Sequence, residues 1–211
     1  MQSHATIIEN LPFAIDEERV LREMRVAKIK RLDQMEERPL AESIKKAIAQ
    51  GYTLIQGKGI YKALELVSVS GQLEAADAPG LFAGENMKKL LSGCPRATIM
   101  AVTIGPALED EVARLDKAGQ ITEAYLLEMV GGMMADYMAD RLDERIDREV
   151  SRAGFDRTMR YSPGYGDWPL DRQAPLHKLL GSERIGISVT DTHIMIPRKS
   201  VSAVIGWKER A

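Results

Sequence analysis

The sequence predicts an α+β fold in which a mainly antiparallel, twisted sheet is flanked by helices, one of them long and central. Apolar residues recur every four positions over residues 126–150, and this period marks roughly seven turns of one helix. Residues 97–103 are rich in β-branched side chains, as expected of a strand. Because such segments are mixed without an internal repeat or a linker, we expect a single unit over residues 1–211.

Shorter elements precede the long helix, within residues 1–120. Asp16 is placed to cap a first helix whose apolar face includes Val20 and Ala27. Gly51 is placed to end a second helix, and Pro106 suits the first turn of a later one. In this portion we expect helices over about 16–33, 40–51, 87–91 and 106–119, and strands over 61–69 and 97–103.

Two consecutive glycines interrupt the long helix. Gly131 and Gly132 each cost about 1 kcal/mol in helix propensity relative to alanine. A helix that keeps such residues commonly has a packing reason for them. We therefore expect another element to approach the helix backbone closely at this point.

The pattern changes after Gly154, in the second part of the region 121–211. Residues 160–169 are rich in proline, glycine and aromatic side chains and have no steady period, which indicates an ordered loop. A short helix near residues 174–180 follows. Alternating apolar residues then predict strands over 185–189, 194–196 and 201–205.

Composition argues against several classes of partner. The net charge is −2, so no overall attraction to nucleic acid or anionic lipid is expected. No basic segment followed by an apolar one begins the chain, and no stretch approaches the roughly 20 apolar residues that cross a bilayer. Cys94 is the one cysteine, and the three histidines lack the spacing of a zinc site. We expect a cytoplasmic protein with no membrane or nucleic-acid partner and no structural metal.

The loop over residues 160–169 has the residue types for recognition of a small polar ligand. Its prolines and glycines hold the backbone in shapes that expose amide groups. Arg160 offers a planar fork for a carboxylate, and Tyr165 and Trp168 are suited to wall an aromatic base. The alternative is a surface loop whose aromatic side chains plug one end of the core.

The same loop carries a resemblance to a known family. Residues 160–165 follow the pattern R-x-x-P-G-Y, and Pro169 lies shortly after them. Together with the segments around it, this pattern resembles the activation domain of vitamin B12-dependent methionine synthase over about residues 125–207. The other similar segments are L-D-E-R-I at 142–146, L-L at 179–180, I-S-V-T-D-T at 187–192, M-I-P at 195–197 and S-V-S at 200–202.

The resemblance implies a site for S-adenosylmethionine in this loop. Arg160 would grip the methionyl carboxylate, while Tyr165 and the backbone of residues 162–164 would hold the rest of the ligand. Alignment of the D-E-R-I segment without gaps places Asp136 where the family's long helix contacts the cofactor. The implied cofactor-binding residues are Asp136, Arg160, Tyr161, Ser162, Pro163, Gly164 and Tyr165.

Asp136 has a simpler interpretation as well. It belongs to a stripe on the long helix that also contains Asp140, Asp143 and Asp147. A charged stripe opposite an apolar one is commonly just a solvated face. Both interpretations of Asp136 stay open at the level of sequence.

The resemblance also implies a partner protein. The turn that contains Pro197, Ser200 and Ser202 would face a corrin ring carried by that partner. When cob(II)alamin accumulates by oxidation, one electron and a methyl group from S-adenosylmethionine restore methylcobalamin. The chain would act in trans on a methionine synthase that lacks its own activation domain, or on another corrinoid methyltransferase. A flavodoxin- or ferredoxin-like protein would donate the electron, and the chain itself would supply no catalytic residue.

Three positions depart from the family pattern and support other hypotheses. A second acidic residue of the family falls here on Gly132, and the family's P-E-H becomes Pro169, Leu170 and Asp171. These changes motivate a docking or assembly partner of a corrinoid protein that has lost the cofactor. A third hypothesis is that the loop binds another nucleoside or an amino-acid-like ligand.

Overall fold

An antiparallel sheet of six strands lies at the centre of the molecule. The computed structural model describes residues 4–12, 14–26, 29–69 and 72–210. The strands are β1 (Thr6–Ile8), β2 (Lys58–Val69), β3 (Gln72–Ala75), β4 (Arg96–Thr103), β5 (Phe155–Arg157), β6 (Ser188–Val189), β7 (Met195–Ile196) and β8 (Ser200–Glu209). The main sheet has the order β1-β2-β4-β8-β5, β3 pairs with β2, and β6 and β7 form a separate hairpin.

Strand β4 is the best buried strand because it has neighbours on both edges and cores on both faces. It pairs antiparallel with β2 on one side and with β8 on the other. Its side chains alternate, so that Ile99 and Ala101 enter one hydrophobic core while Met100 and Val102 enter the other. All four side chains are fully buried.

In the described part of the chain, six helices cover the two faces of the sheet. The helices are α1 (Glu17–Glu23), α2 (Arg38–Leu54), α3 (Glu85–Leu91), α4 (Ala107–Lys117), α5 (Ile121–Arg152) and α6 (Gln173–Leu180). Apolar residues of α1, α2, α4 and α5 pack into the core on one face, and those of α3 and α6 pack on the other. The α+β class, the antiparallel sheet and the long helix predicted from the sequence are therefore confirmed.

Helix α5 shows why the sequence keeps Gly131. A Cβ atom at Gly131 would collide with the side chain of Leu108 on α4, so the absence of a side chain lets the two helices approach. At Gly132 the nearest atom to a Cβ would be Lys199 Nζ, at 3.9 Å, which leaves room. The predicted close approach is confirmed at Gly131. Although α5 has 32 residues, no helix in the described ranges is long and apolar enough to cross a membrane.

Two predicted helix ends are wrong. Asp16 caps α1 as expected, because its carboxylate accepts from Glu18 N at 3.0 Å, but the helix ends at Glu23 and not near residue 33. Arg25 follows with a φ of 58°, which a continuing helix does not allow. Ala27 lies outside the described residues. Gly51 does not end α2 but lies inside it, where the side chain of Met134 packs against its backbone.

Two of the predicted strands near the C-terminus, over 185–189 and 194–196, are shorter than expected, whereas the strand predicted over 201–205 lies within the longer β8. Ile185 ends a turn of 3-10 helix (Ser182–Ile185), and only Ser188 and Val189 are extended in the segment predicted as a strand. Gly186, with a φ of 84°, separates the two. Ile185 and Ile187 alternate because both enter the same core around this turn, and not because they share a strand face.

Candidate functional site

The edge of β8 fixes the backbone that leads to Arg160. Beyond β5 the chain continues along this edge, where Thr158 N donates to Gly206 O at 3.0 Å. Tyr161 then exchanges two backbone hydrogen bonds with Val204, of 2.9 and 2.8 Å. Arg160 is thus held between two points attached to the sheet, and its side chain reaches toward α5.

Aromatic stacking anchors the predicted loop from beneath. The rings of Tyr161 and Trp168 stack with centroids 6.1 Å apart and an angle of 14° between their planes. Trp168 is only 1% exposed, and its indole N–H donates to Leu81 O at 2.8 Å. Trp168 therefore does not wall a ligand, and for this side chain the prediction is wrong. For Trp168 the alternative, an aromatic side chain that plugs the core, is correct.

Hydrogen bonds within the loop fold it into a compact turn. Gly164 N donates to Trp168 O at 2.9 Å, and the Tyr161 hydroxyl donates to Tyr165 O at 3.0 Å. Pro163 is buried and Ser162 is half-buried, whereas the Tyr165 side chain is 68% exposed. Of the predicted ligand-binding side chains, Tyr165 is therefore the one that the loop presents most openly.

The loop is also tied to α3. The Asp167 carboxylate accepts from Glu85 N at 2.6 Å and from Asn86 N at 3.2 Å, at the first turn of that helix. An acceptor in this position satisfies amide groups that have no partner within a helix. The loop is therefore attached to β8 at its start and to α3 near its end.

The acidic stripe of α5 faces arginines and not only solvent. Arg160 Nη1 lies 2.9 Å from Asp140 Oδ1, and Arg19 Nη1 donates to Asp140 Oδ2 at 2.7 Å. Arg157 lies 3.2 Å from both Asp143 and Asp147. The simple solvated-face interpretation is therefore wrong for most of the stripe, which forms ion pairs with arginines of the loop, β5 and α1.

Asp136 differs from the rest of the stripe. Within the described residues its carboxylate forms neither an ion pair nor a hydrogen bond. Asp136 is exposed, as a solvated face predicts, yet partial desolvation by neighbouring atoms raises its pKa, while the nearby positive charges of Arg160 and Arg19 act in the opposite direction. The structure therefore brings the predicted residues Asp136 and Arg160 to one face, with Asp136 free to accept a donor.

The turn between β7 and β8 hides the residues predicted to face a corrin. Pro197 is buried, the Ser200 hydroxyl lies 2.9 Å from Thr103 Oγ1, and Ser202 donates to Gln173 Oε1 at 3.1 Å. The exposed side chains of the turn are Ile196 and Arg198. Any contact of this turn with a partner would thus begin at these two neighbours.

The side chain of Lys199 reaches Gly132 on α5, the position at which the family pattern has an acidic residue. Its ammonium group is near the open backbone of Gly132 and pairs with Glu128 Oε1 at 2.6 Å. A cleft of about 350 Å³ adjoins this pair, and exposed Tyr125 forms part of its wall. Sequence reasoning missed Arg19, Lys199 and Gln173, because each reaches the region from an element distant in the chain.

The fold and this face together define an antiparallel-sheet domain that presents a charged, anchored loop at the edge of its sheet. The family model described as vitamin B12-dependent methionine synthase, activation domain, matches residues 92–211, which is more than half of the chain. The chain belongs to this family, as the sequence pattern predicted.

Comparison with solved structures gives the same fold. The chain is similar to a crystal structure of the MetH reactivation domain bound to AdoHcy, with a TM-score of 0.72 and 15% identity. The alignment covers 100% of this chain and 81% of that one. No curated protein matches the sequence.

Proposed function

We propose that this protein binds S-adenosylmethionine at residues 160–165 and acts in trans in the reductive methylation of a corrinoid protein's cobalamin. The observation that carries the proposal is the placement of Arg160 on the face of α5 that also bears Asp136. An amino-acid group has one carboxylate and one ammonium, so it needs a cation and an anion side by side. Arg160 and Asp136 provide this pair.

The state of Arg160 fits a carboxylate ligand. Its Nη1 is buried and close to Asp140, yet it is not aligned for a hydrogen bond with any described residue. A guanidinium in this state has donor capacity that a planar carboxylate is able to satisfy. Desolvation raises the pKa of the Asp136 carboxyl, but the positive charges of Arg160 and Arg19 favour its ionised form. The carboxylate is placed to accept from the ammonium group of the same ligand.

The rest of the loop suits the nucleoside part of the ligand. Tyr165 exposes most of its ring, which gives a flat surface for a base, and residues 162–164 place backbone groups beside it. When bound, S-adenosylmethionine supplies a methyl group from its sulfonium. The chain then has to orient the ligand, and a general acid or base is not needed. The similar reactivation domain was solved with AdoHcy, which supports this class of ligand.

The partner in this proposal is methionine synthase or a related corrinoid methyltransferase that carries the cobalamin. A flavodoxin- or ferredoxin-like protein would provide the electron. Family membership supports a corrinoid context. The turn with Pro197, Ser200 and Ser202 would lie toward the corrin, with exposed Ile196 and Arg198 making the first contact.

Calorimetric titration with S-adenosylmethionine tests the binding step. Arg160→Ala removes the fork for the carboxylate and should weaken affinity by about 10- to 150-fold, which corresponds to about 1.5–3 kcal/mol. Arg184→Ala is the matched control, because Arg184 is exposed and distant in sequence, and the same charge is lost. Equal affinity for Arg160→Ala and Arg184→Ala would contradict the assignment of the site.

A reconstituted assay tests action in trans. Oxidised corrinoid protein without an activation domain is mixed with the chain, a reduced flavodoxin and S-adenosylmethionine, and the conversion of cob(II)alamin to methylcobalamin is followed by absorbance. We expect conversion only when all components are present, and loss of conversion with Arg160→Ala. Conversion at the same rate without the chain would refute a role in reactivation.

One observation favours the alternative of a docking partner that has lost the cofactor. The ammonium group of Lys199 lies near Gly132, where the family pattern has an acidic residue. Co-sedimentation with the corrinoid protein separates the two functions. The docking alternative is excluded if Arg160→Ala still binds the partner but no longer supports reactivation.

A further inference from the structure

Two arginines that are far apart in sequence, Arg19 and Arg160, contact the Asp140 carboxylate. Arg19 Nη1 donates to Asp140 Oδ2 at 2.7 Å, across 121 positions of sequence. Arg160 Nη1 forms an ion pair with Asp140 Oδ1 at 2.9 Å, but this buried nitrogen has no aligned hydrogen-bond acceptor among the described residues. Both contacts are ion pairs, but only the pair with Arg19 is aligned as a hydrogen bond, and each arginine contacts a different oxygen of the carboxylate.

Further contacts with α5 hold the Arg19 side chain in place. Its guanidinium lies over the ring of Tyr137, 4.3 Å from the centroid, and Tyr137 is one turn from Asp140 on α5. The Tyr137 hydroxyl accepts from Asp16 N at 3.1 Å, and Asp16 caps α1. The same side of α5 thus receives both the start of α1 and the side chain of Arg19. The hydrogen bond to Asp140 also raises the pKa of Arg19.

This geometry leaves Asp140 only one oxygen for its contact with Arg160. A carboxylate binds an arginine most strongly when both of its oxygens align with the guanidinium fork. With Oδ2 committed to Arg19, Asp140 cannot present both oxygens to Arg160. Without Arg19, the aspartate is free to rotate and to close a two-point pair that would occupy the fork.

We infer that Arg19 is a positioning residue that keeps the Arg160 guanidinium available to a ligand carboxylate, because it holds Asp140 in a single-point contact. The inference rests on the proposed function for the identity of the ligand. Arg19 precedes residues 92–211, so this support comes from a part of the chain that the family model does not match. The first helix is accordingly a component of the site.

A double-mutant cycle on the full chain tests the inference by calorimetry with S-adenosylmethionine. Arg19→Ala should weaken binding roughly tenfold, because the ligand has to displace Asp140 from Arg160. In an Asp140→Asn background, the same Arg19→Ala substitution should cause no further loss, since no carboxylate remains to capture Arg160. Arg19→Lys keeps a donor for Asp140 and should retain most of the affinity.

The cycle separates a positioning role from a merely structural one. If Arg19→Ala weakens binding equally in both backgrounds, Arg19 supports the fold or touches the ligand, and the inference is overturned. The control is Arg22→Ala on the same helix, because Arg22 is exposed and forms no ion pair within the described ranges. This variant should bind as the wild type does.

A measurement without ligand keeps the two proposals distinguishable. Phenylglyoxal modifies accessible, unpaired guanidinium groups, and peptide mass spectrometry gives the rate at Arg160. We expect Arg160 to react several-fold more slowly in Arg19→Ala, and to recover its rate when Asp140→Asn is added. An unchanged rate in Arg19→Ala overturns the inference. If this pattern holds but the wild type does not bind S-adenosylmethionine, the proposed function fails and the positioning of Arg160 stands.

Discussion

The pH dependence of stability tests the packing around α6. His177 is 4% exposed, its Nδ1 lies 2.7 Å from Ser182 Oγ, and its Nε2 is buried without a partner among the described residues. Desolvation lowers the pKa of His177 from 6.5 to about 4. The imidazole is therefore neutral in the folded protein over a range of pH in which it is charged in the unfolded chain.

The sign and size of the effect follow from this difference. Between pH 6.5 and about 4 the unfolded chain binds a proton that the folded chain does not, so the free energy of unfolding falls as the pH falls. The difference 6.5 − 4 = 2.5 in pKa corresponds to about 3 kcal/mol. This contribution is complete above the unfolded pKa and is lost progressively as the pH falls toward the folded one.

Urea unfolding of the wild type and His177→Gln measures this contribution. Glutamine does not titrate and still offers an amide to Ser182, and other ionisable groups cancel in the comparison. The stability of the wild type relative to the variant should fall by about 3 kcal/mol between pH about 7 and about 4. A difference that does not change with pH would show that His177 is solvated in the folded protein, and the reasoning would be refuted.

Two further predictions concern glycine packing and helix capping, and urea unfolding at neutral pH measures both. Gly131→Ala should be less stable than Gly132→Ala by about 1–3 kcal/mol, because only the first methyl group meets Leu108, while the gain in helix propensity is common to both. Equal stabilities would contradict the close approach. Asp167→Ala should lose about 0.5–2 kcal/mol through the cap of α3, and exposed Asp171→Ala, which removes the same charge, should lose less.

Long, regular elements were predictable because their side chains repeat. Helix α5 shows its buried face as a four-residue period, and β4 shows a dense run of β-branched and small apolar residues. By contrast, β1 and β5 have three residues each, which is too few for any period to be visible. They form strands because the edges of longer neighbours offer unpaired backbone groups.

The site was predictable only where its residues are adjacent in sequence. Residues 160–165 form one local pattern, so the loop and the candidate role of Arg160 were accessible from the chain itself. The burial of Trp168 was not, because it depends on stacking against Tyr161 and on a hydrogen bond to Leu81. Composition does not distinguish an aromatic side chain that faces a ligand from one that plugs a core.

The sequence by itself determined the class of fold, the long helix, the presence of an ordered loop over residues 160–169 and the family resemblance, because each shows as a local pattern along the chain. Tertiary structure alone decided that α1 reaches the acidic face of α5, and that Asp140 is divided between Arg19 and Arg160. A charge on a helix surface has the same local pattern whether it faces water or an arginine. Its partner is set by the packing of distant elements, and that packing gives the site its arrangement of charge.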